Sequence, residues 1–323
     1  MMKGSQRVII QNKRIRYDFT IHRNITIICG NSATGKTKLI EMIQEYYDNG
    51  DSSGIALECP KTCVTLSGRN WQAELALYND SLVFIDEGNA FVTSEAFSKA
   101  IQGTDNYYII VNRENLENLP YSVKEIYGIR TSGKYGGLKQ TYNELFEIYG
   151  QPLGKNDTLP ATVLVEDSNA GYQFFSEVCN EQHLACTSAG GKSNIFECLT
   201  QSEAPAAALI IADGAAFGSQ MGRIAKLIEN GAPISLYLPE SFEWLLLAAD
   251  LLKDNEIRQA LADPAEAIES ADYFSWERFF TKLLTDKTAG TIWQYNKKKL
   301  NPIYLHDRER QTILALTPFA RHS

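Results

Sequence analysis

Short apolar runs alternate with segments of helical spacing along the first third of the chain. RVIIQ at 7–11, RIRYDFTI at 14–21 and the β-branched run Ile25–Ile28 read as strands, because such residues suit a pleated, buried surface. A glycine-rich turn follows, and Lys38–Tyr47 then carries Leu39, Ile40 and Ile43 at helical spacing. Further apolar strands are predicted at Cys63–Leu66, Leu82–Ile85 and Tyr107–Val111, with helices near Trp71–Tyr78 and Ser94–Ile101 between them. Strands alternating with helices imply a parallel sheet covered on both faces.

Residues 131–160 change character. TSGKYGG and YGQPLGKNDTLP are rich in Gly, Pro and polar residues, which marks a boundary between a domain at 1–150 and a second at 151–323. The alternation then restarts. Thr162–Val165, Ala185–Thr187, Ala207–Ile211 and Ile234–Leu238 read as strands, and Tyr172–Cys179, Asn194–Leu199 and Gly222–Asn230 as helices. After Glu240 the pattern is mainly helical, so the fold class is α/β in both halves with a helical extension at the end.

The 323 residues carry a net charge of −8, so a nucleic-acid partner needs a local basic groove against a repelling global field. The dense basic run is Lys297–Lys299, which a solvated helix end explains as well as a phosphate contact does. No apolar stretch reaches the ~18–20 residues of a membrane span, and MMKGSQRVIIQNKR lacks a signal-peptide core. A cytoplasmic protein is expected, with reduced thiols at Cys29, Cys59, Cys63, Cys179, Cys186 and Cys198, none of them in a CxxC pair. Four dispersed histidines suggest no zinc site.

GNSATGKT at 30–37 fits G-x-x-x-x-G-K-[ST] without a mismatch, between a buried strand and a helix. Gly30 and Gly35 permit the backbone angles that turn successive N–H groups of Asn31, Ser32, Ala33 and Thr34 around phosphate. The helix N-terminus adds partial positive charge. Lys36 is expected to reach the β- and γ-phosphates, and Thr37 to offer its hydroxyl to Mg²⁺. LVFIDE at 82–87 supplies the second half: Asp86 would hold Mg²⁺ through water and Glu87 would polarise the attacking water. A third strand, YYIIVNRE at 107–114, ends in Asn112 and Arg113, where Asn112 either senses a γ-phosphate or closes a turn.

On these motifs, residues 7–115 resemble the P-loop ATPases of the additional-strand class, and FTIHRNITIICGNSATGKTKLI is similar to the opening of ABC-type and SMC-like ATPases. The resemblance implies ATP and Mg²⁺ as ligands and a site completed by a second subunit, hence a homo-oligomer. It departs at LSG, 66–68, where the GQ of an ABC signature is missing. Guanine recognition is not expected, because NREN at 112–115 and NKKK at 296–299 are no NKxD element.

The second half places acids at strand ends and helix starts: Glu166 and Asp167 in VLVEDSNAG, Asp213 in ALIIADGAAFG, and Glu243 in LYLPESFEWLLL. In an open α/β sheet, ligands lie beyond the carboxyl ends of the strands, where such acids can share a hard cation. The order Glu166, then AGGKSNIFECL at 189–199 with Gly190, Gly191 and Lys192, then Asp213 and Gly218, resembles the Toprim fold of OLD-family nucleases. SFEWLLL is similar to a segment seen after that core, pointing to Glu243. Ala215 stands where the family has a second Asp. The resemblance implies Glu166 and Asp213 as ligands of Mg²⁺ or Mn²⁺, with Glu243 joining them in cleavage of nucleic acid and a role in phage or plasmid defence. The rival expectations are a nucleotide-gated regulatory protein with an inactive Toprim-like domain, and a small-molecule phosphotransferase.

Overall fold

A computed structural model of the chain describes residues 2–30, 34–132, 140–150, 160–200 and 207–321. The fold is mixed α/β and divides into two compact units, 1–150 with 263–275, and 151–262 with 276–323.

The first unit runs β1 (Gln6–Gln11), β2 (Ile15–Ile21), β3 (Ile25–Ile28), α1 (Lys36–Asn49), β4 (Ala56–Glu58), β5 (Thr62–Thr65), α2 (Trp71–Leu75), β6 (Ser81–Ile85), α3 (Glu95–Ile101), β7 (Tyr107–Val111), β8 (Ile126–Thr131) and β9 (Thr141–Glu147). These strands form one sheet in the order β4-β1-β2-β9-β8-β3-β7-β6-β5. The run β8-β3-β7-β6-β5 is parallel. β3, β6 and β7 are buried along their whole length, as strands covered on both faces must be. The sheet is not wholly parallel, however: β1 pairs antiparallel with β2 and β4, and β8 with β9.

β4 and β5 lie at opposite ends of the strand order, yet only residues 59–61 join them. So short a link spans at most about 14 Å, so the sheet has to curl until its two edges approach. What it curls around is α1, whose Leu39, Ile40, Met42 and Ile43 pack with Val8, Phe19, Ile28, Cys63, Leu82 and Phe84 in one core. Each such side chain contributes roughly 1.5–3 kcal/mol by leaving water. Gly50, at φ +54°, ends the helix and donates its N–H to the Tyr46 carbonyl.

β9 falls inside the segment expected to be a domain linker and instead lies between β2 and β8 in the sheet. Of the two polar stretches that suggested the boundary, 133–139 and 151–159 lie outside the described residues.

The second unit begins with β10 (Thr162–Val165), α4 (Ala170–Glu181), β11 (Ala185–Ser188), α5 (Lys192–Thr200), β12 (Ala208–Ile211), α6 (Gly218–Glu229), β13 (Ile234–Tyr237), α7 (Phe242–Ala248) and α8 (Asn255–Ala262). Its sheet is all parallel, in the order β11-β10-β12-β13. The chain leaves β10 toward one edge and β12 toward the other, so the topological switch point lies at the carboxyl ends of β10 and β12.

The expected assignment of everything after residue 150 to the second domain needs one correction, because Asp263–Ser275 packs with the first unit. Its short helix α9 (Pro264–Ala267) takes the Gly4 N–H on the Ala265 carbonyl, Met2 accepts the Ser270 N–H, and Asn24 donates to the Phe274 carbonyl at 2.6 Å. The remaining helices α10 (Trp276–Thr288) and α11 (Asp307–Leu314) belong to the second unit, where Phe280, Leu284, Ile313 and Phe319 share a core with Phe174, Phe175 and Phe242. Phe280 is core, with Trp276 and Phe279 partly buried against it. No helix among the described residues is long and apolar enough to cross a membrane.

Candidate functional sites

In the first unit, β3 delivers the chain to Gly30, and α1 starts at Lys36 after its cap residue Gly35. Asn31, Ser32 and Ala33 lie outside the described residues. Gly35 sits at φ +92°, and a Cβ there would meet the Tyr17 hydroxyl at 2.8 Å. Tyr17 donates that hydroxyl to the Gly35 carbonyl at 2.8 Å, so β2 pins the turn into the helix. No side chain caps α1 and no acid occupies its first turn, which leaves backbone N–H groups and a positive dipole end suited to an anion.

Lys36 is buried, and its Nζ donates to the Gly30 carbonyl at 2.8 Å and to Thr34 Oγ1 at 3.1 Å, spanning the turn. Burial and the neighbouring Arg113 weaken its hold on the proton, offset in part by Glu87, Cys29 and Asp86. Thr37 is exposed one residue further on. Asp86 Oδ1 accepts the Glu87 N–H at 2.8 Å, and Arg113 Nε pairs with Glu87 Oε1 at 2.7 Å. The structure therefore gathers Lys36, Asp86, Glu87 and Arg113 in one electrostatic neighbourhood. Asn112 donates its side-chain amide to the Glu114 carbonyl at 3.0 Å, so this N–H closes the turn after β7. Thr37 and Asp86 each carry an oxygen donor of the kind Mg²⁺ prefers.

A cavity of about 460 Å³ opens between α1 and β5–β6, lined by Glu41, Gln44, Glu45, Asp48, Thr65 and Asp86 among others. Its acids would repel a polyphosphate.

In the second unit, Glu166 follows β10 and Asp213 follows β12, so both emerge at the switch point. Glu166 Oε2 accepts the Asp213 N–H at 2.9 Å, and Asp213 Oδ1 accepts the Phe242 N–H at 3.2 Å. Asp167 Oδ1 accepts the Tyr172 N–H at 2.8 Å. The Gly190-Gly191 turn closes against the same edge, with the Gly191 N–H on the Glu166 carbonyl at 2.8 Å. Lys192 donates to the Ala216 carbonyl at 2.8 Å. Gly214 has to be glycine, since a Cβ would lie 2.6 Å from the Leu238 carbonyl oxygen. Glu243, buried in the first turn of α7, accepts the Tyr295 hydroxyl proton at 2.7 Å. Ala215 is buried.

Burial pushes the Glu166 and Asp167 carboxyls above the usual range. It pushes Asp213 well above, with Glu277, Glu166 and Glu243 adding repulsion. The structure thus brings together the four expected acids and adds Glu277 of α10. Two lysines moderate the charge. Burial disfavours the Lys192 ammonium, and Glu166 and Glu277 partly restore it. Lys297 is held charged against its own burial by Glu277 and Glu243, and donates to Glu277 Oε1 at 2.6 Å. Lys297 therefore lies in a turn beside the acids, and the expectation of a solvated helix end is corrected.

Mutual repulsion is not yet coordination. Among the described residues no three His, Cys, Asp or Glu side chains are placed to hold one metal ion. The carboxylates of Glu166, Asp167, Asp213 and Glu243 are each turned onto a backbone N–H or a phenol instead, and as placed they do not fit a shared cation.

Glu277 and Tyr295 are not legible in the sequence as site residues, and Lys297 stands out only as part of a basic run. An acid beside Trp276 on a helix with buried Phe280 was the one available hint. No protein-family model matches the chain, and no curated protein matches it.

Proposed function

We propose that the first unit binds and hydrolyses ATP at Gly30–Thr37. The observation that carries this reading is a buried lysine in the first turn of an uncapped helix, within electrostatic reach of Asp86 and Glu87. The position of β7 between β3 and β6 supports the additional-strand class. In this reading the N-terminal end of α1 and Lys36 neutralise the phosphates, and Thr37 and Asp86 would hold Mg²⁺. That ion would supply charge neutralisation at the β- and γ-phosphates. Glu87 accepts a hydrogen bond from the attacking water and aligns it on the γ-phosphorus, and phosphate leaves with ADP as the second product. A phosphotransferase would instead pass the phosphoryl group to an acceptor. Phosphate release by the wild type and its loss in Glu87→Gln separate the two.

For the second unit, Glu166, the Gly190-Gly191-Lys192 turn and Asp213 at one switch point support a Toprim-like nuclease under nucleotide control, with phage or plasmid defence and homo-oligomerisation as the attendant roles. A second reading, a regulatory module without cleavage, is favoured by the carboxylates turned away from any shared cation and by the buried Ala215. Degradation of DNA or RNA with Mg²⁺ or Mn²⁺, abolished by Asp213→Ala, supports the nuclease. No degradation with either ion, with and without ATP, supports the regulatory module.

A further inference from the structure

Cys59 and Cys63 flank the short link that closes the curl of the first sheet. Cys59 leaves β4, and Cys63 lies in β5. Four steps of extended chain would part their Cα atoms by about 13 Å. The chain bends at Pro60 and Lys61 instead, and the two thiols meet in a hydrogen bond. Both pack on the apolar core around α1, but unequally: Cys63 is 4% exposed, whereas Cys59 is only partly buried. The Cys63 S–H faces two acceptors, the Cys59 sulfur and the Lys61 carbonyl at 3.9 Å. Cys59 is surrounded by donors instead. It accepts from Cys63 and from the Lys61 backbone N–H, and the Lys61 ammonium adds positive charge nearby. Asp80 anchors that ammonium at 2.6 Å. One sulfur is therefore open to solvent and supported as a thiolate, and its neighbour is sheltered but in contact with it. Disulfide exchange needs such a division between an attacking thiolate and a resolving thiol.

We propose that Cys59 and Cys63 form a reversible oxidation site whose co-reactant is a low-molecular-weight disulfide. The Cys59 thiolate attacks one sulfur of the reagent and forms a mixed disulfide, and the other half departs as a thiolate that solvent protonates. Cys63 then attacks the Cys59 sulfur. The mixed bond breaks, and the Cys63 proton passes to the departing thiolate. The two cysteines lose two electrons and two protons, and the reagent gains them as two free thiols. An excess of a dithiol runs the exchange backwards. The internal bond spans only Pro60–Thr62, so it holds the bend between the two edge strands and takes little freedom from the unfolded chain.

The probe is oxidised glutathione in excess at pH 7, applied to folded wild type, Cys59→Ala and Cys63→Ala, with folding checked by circular dichroism. Remaining thiols are then blocked in acid, and the unfolded protein is digested with trypsin, which cuts after Lys61 between the two cysteines. In the wild type, the peptides ending at Lys61 and beginning at Thr62 are expected to stay joined and to separate with dithiothreitol. In Cys63→Ala, Cys59 accumulates glutathione that the wild type does not retain. In Cys59→Ala, Cys63 remains a free thiol. Free thiols at both positions in the wild type overturn the proposal, and this reading depends on no variant. Equal retention of glutathione on Cys59 in wild type and Cys63→Ala overturns the resolving role of Cys63. Glutathione on Cys63 in Cys59→Ala overturns the attacking role of Cys59.

Discussion

Glu166 Oε2 accepts the backbone N–H of Asp213 at 2.9 Å, and this bond ties together the carboxyl ends of β10 and β12 at the switch point of the second sheet. It also fixes one carboxylate beside another that burial already disfavours. Asp213, raised well above the usual carboxylate range by burial and by Glu277, Glu166 and Glu243, binds its proton more tightly folded than unfolded. Stability is then lost as pH rises from the ordinary carboxylate range through the raised folded value.

Asp213→Asn should therefore stabilise the protein at neutral pH. The asparagine keeps an oxygen for the Phe242 N–H and removes the charge. Each unit of pKa difference is worth about 1.4 kcal/mol, which shifts melting by roughly 2–6 °C for a unit of this size. Calorimetric melting at pH 7 is expected to be higher for the variant than for the wild type, with the gap closing toward pH 4. A variant that melts lower at every pH would show that the carboxylate is a net structural asset.

A second stability prediction concerns Arg23 and Glu125, which pair at 3.4 Å with side chains only 7% and 4% exposed. Thr26 also donates to Glu125 Oε2 at 3.1 Å. Removing one member of a buried pair strands the other charge, so Glu125→Ala is expected to cost about 3–5 kcal/mol, read as a lower urea midpoint. Glu125→Gln, which retains an acceptor for Thr26, should lose less.

What the sequence shows of this fold is uneven, and the reasons are physical. The strands β3, β6 and β7 and the helix α1 are legible because continuous apolar runs and helical spacing are local signals. β9 is hidden because TYNELFE is only partly buried and lies between two polar stretches. Its partner strand even carries Gly128, over which Phe146 closes so tightly that a Cβ would be 2.5 Å from the ring. The return of Asp263–Ser275 to the first unit depends on contacts to Met2, Gly4 and Asn24, some 250 residues away. No periodicity encodes such contacts. Likewise, four site acids announce themselves at strand ends and helix starts, whereas Glu277 joins them only because α10 packs beside α7.

Thiol chemistry gives a third prediction. All six cysteines are free. A hydrogen bond from Cys63 brings Cys59 down to about 7 despite burial, and Cys179 likewise lowers Cys186. Their partners Cys63 and Cys179 are held up as thiols by the same hydrogen bonds and by burial. Because the thiolate is the nucleophile, iodoacetamide in short pulses at pH 7 should modify Cys59 and Cys186 ahead of Cys63 and Cys179, as read by peptide mass spectrometry. The rate at Cys59 should fall as pH drops below 7. Equal labelling within each pair would contradict this asymmetry.

In the proposed function, Lys36 seats a triphosphate at the start of α1. The direct measurement is calorimetric titration of Mg²⁺-ATP into the wild type and into Lys36→Ala, with folding of both verified by circular dichroism. Saturable binding at one site per chain in the wild type, weakened at least about a hundredfold in the variant as the loss of a charged phosphate contact implies, is the expected result. Equal affinity in the two proteins, or no binding by a folded wild type, would contradict it.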